Sequence, residues 1–217
     1  MQTRRSFLRF GFGVLAFSLL PAAVGAQETV SVPATAASII QADGPKQGSN
    51  SDRFFNVEGK GKGKYACYGV LRFDLSSLKS SLDKKYGAGK YAITGVSLQL
   101  AQSNAAFTGS GAIKFFFTPD DTTPPGSLKY PYDPKGSTLK GTLLSTDKFV
   151  KETPADYNLF KGQSATGDFA KHLLQGKTLT LVVAEGEDNV AATWAGQKPP
   201  KSLKPPTLVV KAVPGGK

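Results

Sequence analysis

The chain has 217 residues, with 27 Lys and Arg against 16 Asp and Glu, a formal net charge of +11. A surface of that sign concentrates anionic polymers around it. One cysteine excludes an intramolecular disulfide, and one histidine excludes a multi-histidine metal centre and leaves little for Ser-His-Asp chemistry.

The first segment reads as an address. Thr3 to Arg9 is basic, Phe10 to Leu20 is apolar, and Val24-Gly25-Ala26 supplies the small residues of a cleavage site, so an export signal is expected over residues 1–26. Arg4-Arg5 followed by Phe7-Leu8 resembles the twin-arginine signal, which carries folded cargo across the bacterial inner membrane. The apolar run is shorter than the ~20 residues a spanning helix needs, so no membrane span is expected after processing. The signal holds three of the 27 basic residues and none of the 16 acidic ones, so the mature chain keeps a net charge of +8. About 190 residues remain, enough for one domain with a sizeable core, expected over residues 27–217.

Thr29 to Val32 and Ser38 to Ala42 are β-prone and read as opening strands, followed by the polar turn residues Asp43 to Asp52 and a short run from Arg53 to Val57. Glu58 to Lys64 alternates glycine with lysine and reads as a solvated connection. Tyr65 to Leu78 is the central element. Tyr65, Cys67, Leu71 and Phe73 share one face of a period-two strand, and Tyr68, Arg72 and Asp74 the other, so one side is buried and one is offered. Cys67 then packs as a small hydrophobe. Asp74 to Leu78 forms a polar break in which Asp or Ser side chains bond nearby N–H groups.

Lys79 to Lys90 reads as a crossover or exposed loop, with one helical turn at Ser80 to Lys85. Ile93 to Gln102 alternates strictly, with Val96, Leu98 and Leu100 inward and Ser97, Gln99 and Ala101 outward. Ala112 to Thr118 follows a Gly-Ser-Gly turn and is hydrophobic on both sides at its centre. Pro119 to Gly141 exceeds ordinary loop length, the mark of a functional or mobile segment. Thr142 to Val150 and Asp156 to Phe160 are weaker strands; Asp168 to Leu174 has a short helical pattern that stops at Gly176. Thr178 to Ala184, Asn189 to Ala195 and Pro206 to Val213 complete the strands. The pattern lacks strand-helix alternation and predicts an all-β fold: a two-sheet antiparallel sandwich with one short helix.

Ala36-Ala37-Ser38-Ile39-Ile40-Gln41 before a polar loop, Gly69 to Leu78 (GVLRFDLSSL), and the closing order of Asp168 helix, Leu179 to Ala184, Glu185 to Asn189 and Pro205 to Val210 together resemble a DNRLRE-type domain. That group of jelly-roll sandwiches includes carbohydrate-binding modules of secreted bacterial proteins. The chain departs from it at Pro119 to Gly141, where a tryptophan-bearing segment is expected.

The residues set limits on chemistry. His172 lies in the helical pattern and reads as a capping or packing residue. Asp74, Asp120-Asp121, and Glu185 with Glu187 and Asp188 are the carboxylates available to a glycosidase, but none has a spacing that signals a catalytic pair, so no enzyme is expected. Glu185 to Asn189 has oxygen ligands for a structural calcium ion, and no other cofactor is indicated. Trp194 is either a sugar-stacking platform or a packing residue. Lys60, Lys62, Lys64, Arg72, Lys114, Lys148 and Lys151 are the larger signal. Nucleic acid would suit such a charge in the cytoplasm, whereas export to the periplasm or medium points to acidic polysaccharide or an envelope component. The reading is a non-catalytic carbohydrate-binding sandwich in which Tyr68, Arg72, Gln99 and Lys114 on an open sheet face meet an acidic glycan. The alternative is a structural or adhesive envelope protein without a sugar site.

Overall fold

The computed structural model describes residues 26–46, 52–103, 108–136, 138–151, 155–162 and 167–215. The segment expected to be an export signal, residues 1–26, lies outside the described residues apart from Ala26. The strands are β1 (Glu28–Pro33), β2 (Ala36–Gln41), β3 (Gly44–Pro45), β4 (Phe54–Glu58), β5 (Cys67–Asp74), β6 (Tyr91–Leu100), β7 (Gly111–Thr118), β8 (Thr142–Phe149), β9 (Ala155–Asn158), β10 (Thr178–Glu185), β11 (Ala191–Ala195) and β12 (Thr207–Pro214). Two longer helices among the described residues are α1 (Ser76–Tyr86) and α2 (Asp168–Gln175). The expected all-β class and two antiparallel sheets are present. One sheet has four strands in the order β1-β12-β6-β9; the other has eight, with the path β11-β4-β5-β10-β7-β8 and with β2 and β3 off it.

The main core lies between the sheets. Leu71 and Phe73 of β5, Leu179, Leu181 and Val183 of β10, and Ile113, Phe115 and Phe117 of β7 face Val32, Val96, Leu98, Leu208 and Val210 from the smaller sheet. Period-two alternation accounts for each set. In β6 the alternation is broken once, because Lys211 pairs with Gly95 while Ala212 pairs with Ile93. The extra residue in β6 is a bulge that flips the side-chain parity, which lets Ile93 and Val96 both point inward.

Three sequence expectations need correction. Tyr65 does not belong to β5: it ends a 3-10 turn, Lys60–Tyr65, and is 56% exposed. Lys79 to Lys90 is not mainly loop, since α1 runs for 11 residues and buries Leu78 and Leu82, one turn apart, while the Asp74 carboxylate accepts from the Ser76 N–H at 2.9 Å. Among the described residues α1 is therefore a helix beyond the one expected at Asp168 to Leu174. The third correction concerns β5, whose outer side is buried over Tyr68 and Val70, half-buried at Arg72 and open only at Asp74. Its outer face is covered by the segment from Pro119 to Gly141, a strap whose Leu128, Tyr130, Tyr132 and Leu139 pack on Tyr68, Val70, Phe116, Val182 and Ala184 as a second core. That cover also explains why β7 is apolar on both sides.

Candidate functional site

The four residues expected on one open sheet face separate into four environments. Tyr68 is 1% exposed, with its ring 5.3 Å from that of Tyr132 in the strap, and burial pushes its hydroxyl up to about 12. It has no surface to give to a ligand. Arg72 is half-buried and donates to the Thr123 carbonyl, so its guanidinium fastens the start of the strap. Lys114 lies on the same outer face but at the far end of β7, in a cleft of about 340 Å³ beside the strap with Lys60, Tyr132 and Glu185. Gln99 belongs to the other sheet. It is exposed, and pairs with Thr207 on one side and Asp156 on the other.

Gln99 therefore leads to the face that is open. Across the smaller sheet the register lines up three outward rows: Thr29, Lys211 and Gly95; Ser31, Val209, Ser97 and Asn158; Pro33, Thr207, Gln99 and Asp156. Most of these side chains are small, neutral and able to donate or accept. Two grooves cross this face. The larger, about 350 Å³, is lined by Thr94, Ser97, Asp156, Asn158 and Lys211 around Gly95 and Val209; the smaller, about 230 Å³, by Gln99, Asp156, Lys204, Pro205 and Thr207. Asp156 lines both, so they meet at that residue. From the Lys211 row to the Thr207 row is four residues, about 13 Å along a strand. The surface is thus an elongated trough, polar where Ser97, Asn158 and Lys211 line it and more apolar where Leu100, Ala101, Ala155 and Pro205 join Lys204. Sequence reasoning found Gln99 and Ser97 as outward residues but missed Lys204 and Lys211, since the pairing of β12 with β6 is what sets Lys211 opposite Gly95 and brings the segment before β12, with Lys204, to the groove of Gln99.

The remaining candidates have structural partners. Trp194 is fully buried, with ring centroids 5.9 Å from Phe55 and 5.5 Å from Phe149, so it is a packing residue and not a stacking platform. His172 is buried, with Nε2 2.8 Å from the Thr178 carbonyl oxygen and its ring 5.1 Å from Phe117. Cys67 is fully buried, and desolvation pushes its thiol up to about 12, which leaves it unreactive. Asp120 accepts from the Thr122 and Thr123 N–H groups at 2.9 and 3.0 Å and from both hydroxyls, and these bonds hold its carboxyl down at about 2. Glu185 accepts from the Tyr130 hydroxyl at 2.9 Å, while burial raises its pKa. Among the described residues, no group of three or more His, Cys, Asp or Glu side chains comes together to hold a metal ion.

No protein-family model matches the chain, and no curated protein matches it.

Proposed function

We propose that the protein is an exported, non-catalytic carbohydrate-binding sandwich, and that the trough on its four-stranded sheet takes an acidic polysaccharide. One observation carries this reading: two grooves of about 350 and 230 Å³ meet at Asp156 on an uncovered sheet face, with Lys211 and Lys204 near the two ends. A polyhydroxylated chain needs many small donors and acceptors, which Thr94, Ser97, Gln99, Asn158, Asp156 and Thr207 supply. The two ammoniums add charge-assisted bonds to uronate carboxylates, and Pro205 offers an apolar edge to a ring. Among the described residues no aromatic side chain lines either groove, so stacking contributes little and electrostatics much. The likeness of Gly69 to Leu78 to the DNRLRE-type sandwiches supports the same class. The structural partners of Asp74, Asp120 and Glu185 favour binding without catalysis.

Affinity electrophoresis in gels containing alginate or pectate tests the site. The wild type is expected to be retarded, Lys204→Ala with Lys211→Ala to lose about fivefold to tenfold in affinity, and Gln99→Ala with Asn158→Ala a smaller amount. Equal retardation of wild type and the lysine pair would reject the trough. Export has its own test. Replacing Arg4 and Arg5 by lysine is expected to leave the protein in the cytoplasm, whereas a Gln27 N-terminus outside the inner membrane in that variant would reject the twin-arginine route.

A further inference from the structure

The cleft beside the strap has a different chemistry from the trough. Its floor is apolar, from Phe116 and Ala184, and Tyr132 forms one wall. Lys60, Lys114, Glu185, Glu187 and Asp188 supply charges of both signs. The wall opposite the strap is fixed by backbone bonds. The Gly59 N–H donates to the Val190 carbonyl at 2.9 Å, Gly61 to Asp188 at 2.7 Å and Gly186 to Ala112 at 2.8 Å. A side chain at Gly59 is impossible without movement, because a Cβ there would stand 2.3 Å from the Glu187 carbonyl oxygen. The Tyr130 hydroxyl holds one oxygen of Glu185 from the strap side. The lysine-glycine run is thus a clamp on the acidic turn.

What this preformed cleft leaves open is specific. Among the described residues neither Lys60 nor Lys114 forms a close ion pair, although both act on Glu185 through space. The second carboxylate oxygen of Glu185, Oε2, is buried and has no hydrogen-bond partner. A buried acceptor in that condition costs free energy that a ligand donor recovers. A plain anion would meet three carboxyl groups, and a plain cation two ammoniums; a molecule bearing both signs can satisfy both sets.

We propose that this cleft binds a small zwitterion, an α-amino acid head group with an apolar side chain. Its carboxylate pairs with Lys60 and Lys114, its ammonium donates to Glu185 Oε2 and the Glu187–Asp188 rim, and its side chain lies against Tyr132. The site is independent of the polysaccharide trough, which lies on the other sheet.

Amide shifts of the purified ¹⁵N-labelled protein, titrated with L-phenylalanine, N-acetyl-L-phenylalanine and phenethylamine, test the assignment. L-phenylalanine is expected to move Lys114, Tyr132, Gly186 and Glu187 saturably and to bind about tenfold more tightly than either single-charge compound. Glu185→Gln and Lys60→Ala should each weaken it about fivefold, with well-dispersed spectra confirming the fold; Lys204→Ala with Lys211→Ala should not change it. Equal binding of the acetylated compound would make this an anion site, and equal binding of phenethylamine a cation site. Either result, shifts confined to other residues, or no saturable shift with any of the three compounds overturns the proposal.

Discussion

At the level of single residues, the alternation in β5 decides which side chains carry stability. Phe73 is fully buried between the sheets, so Phe73→Ala is expected to cost about 3 to 5 kcal/mol in chemical denaturation. Arg72 points the other way and loses one bond to the Thr123 carbonyl, so Arg72→Ala should cost distinctly less. The reverse order would mean the register is wrong. Gly69 has a different constraint: a Cβ there would stand 2.2 Å from the Phe55 ring, so Gly69→Ala should cost about 1 to 3 kcal/mol through overpacking. Combining it with Phe55→Ala should cost less than the sum of the two single changes, because the smaller side chain relieves the clash; strict additivity would show that the ring is not what excludes the methyl. The inward identity of Leu71 and Phe73 was legible from period two alone. The placement of Trp194 was not, since the run Ala191 to Ala195 is buried throughout, its one polar residue Thr193 included, and so its alternation marks no outer face.

At the level of elements, the strap from Pro119 to Gly141 is what turned an expected open face into a second core. The sign of it in the sequence was the apolar outer side of β7, where Phe116 stands between Phe115 and Phe117. Nothing in the alternation of β5 or β7 names the cover: Leu128, Tyr130 and Tyr132 do alternate with Lys129 and Pro131, but they stand with Leu139 in a segment whose prolines and glycines read as loop. The helix α1 was obscured for a related reason: its serines and lysines carry little hydrophobic signal beyond Leu78 and Leu82. The strap is held at two points whose acid-base behaviour has opposite sign. Near its start, the carboxyl of Asp120 is lowered to about 2, so its contribution is present above the unfolded value near ~4 and is lost as pH falls towards about 2. Further along, Tyr130 meets Glu185, whose pKa is raised by burial against the lowering effects of its own backbone N–H, Tyr130, Lys60 and Lys114. That contribution is complete below the unfolded value near ~4 and is lost as pH rises through the folded one. Denaturation curves across the acid range should therefore show Asp120→Asn falling furthest below wild type above about pH 4, with the gap closing in acid. Glu185→Gln should gain on wild type as pH rises. Parallel profiles for all three proteins would show that neither carboxyl titrates differently on folding.

At the level of the whole molecule, the fold leaves one sheet face covered and one open, and the net charge of +8 expected for the mature chain acts on both. General attraction and a built site predict different responses to salt. A diffuse positive surface holds an acidic polymer through many weak contacts, each screened over a Debye length of about 8 Å at physiological ionic strength. Under that regime, removing any two exposed lysines costs about the same. Hydroxyl and amide contacts in the trough are short-ranged and persist when the charges are screened. Two charge-matched variants separate the cases: Lys204→Ala with Lys211→Ala in the trough, and Lys62→Ala with Lys64→Ala in the clamp, each lowering the net charge equally. On alginate at low salt both should be retarded less than wild type, the trough pair more so. At high salt the clamp pair should converge on wild type, while Gln99→Ala with Asn158→Ala should fall below it, since only the hydrogen bonds of the trough then hold the chain. If the two lysine pairs remain equal at every salt concentration, and the Gln99 and Asn158 changes have no effect, net charge alone holds the polymer and the four-stranded face is not its site.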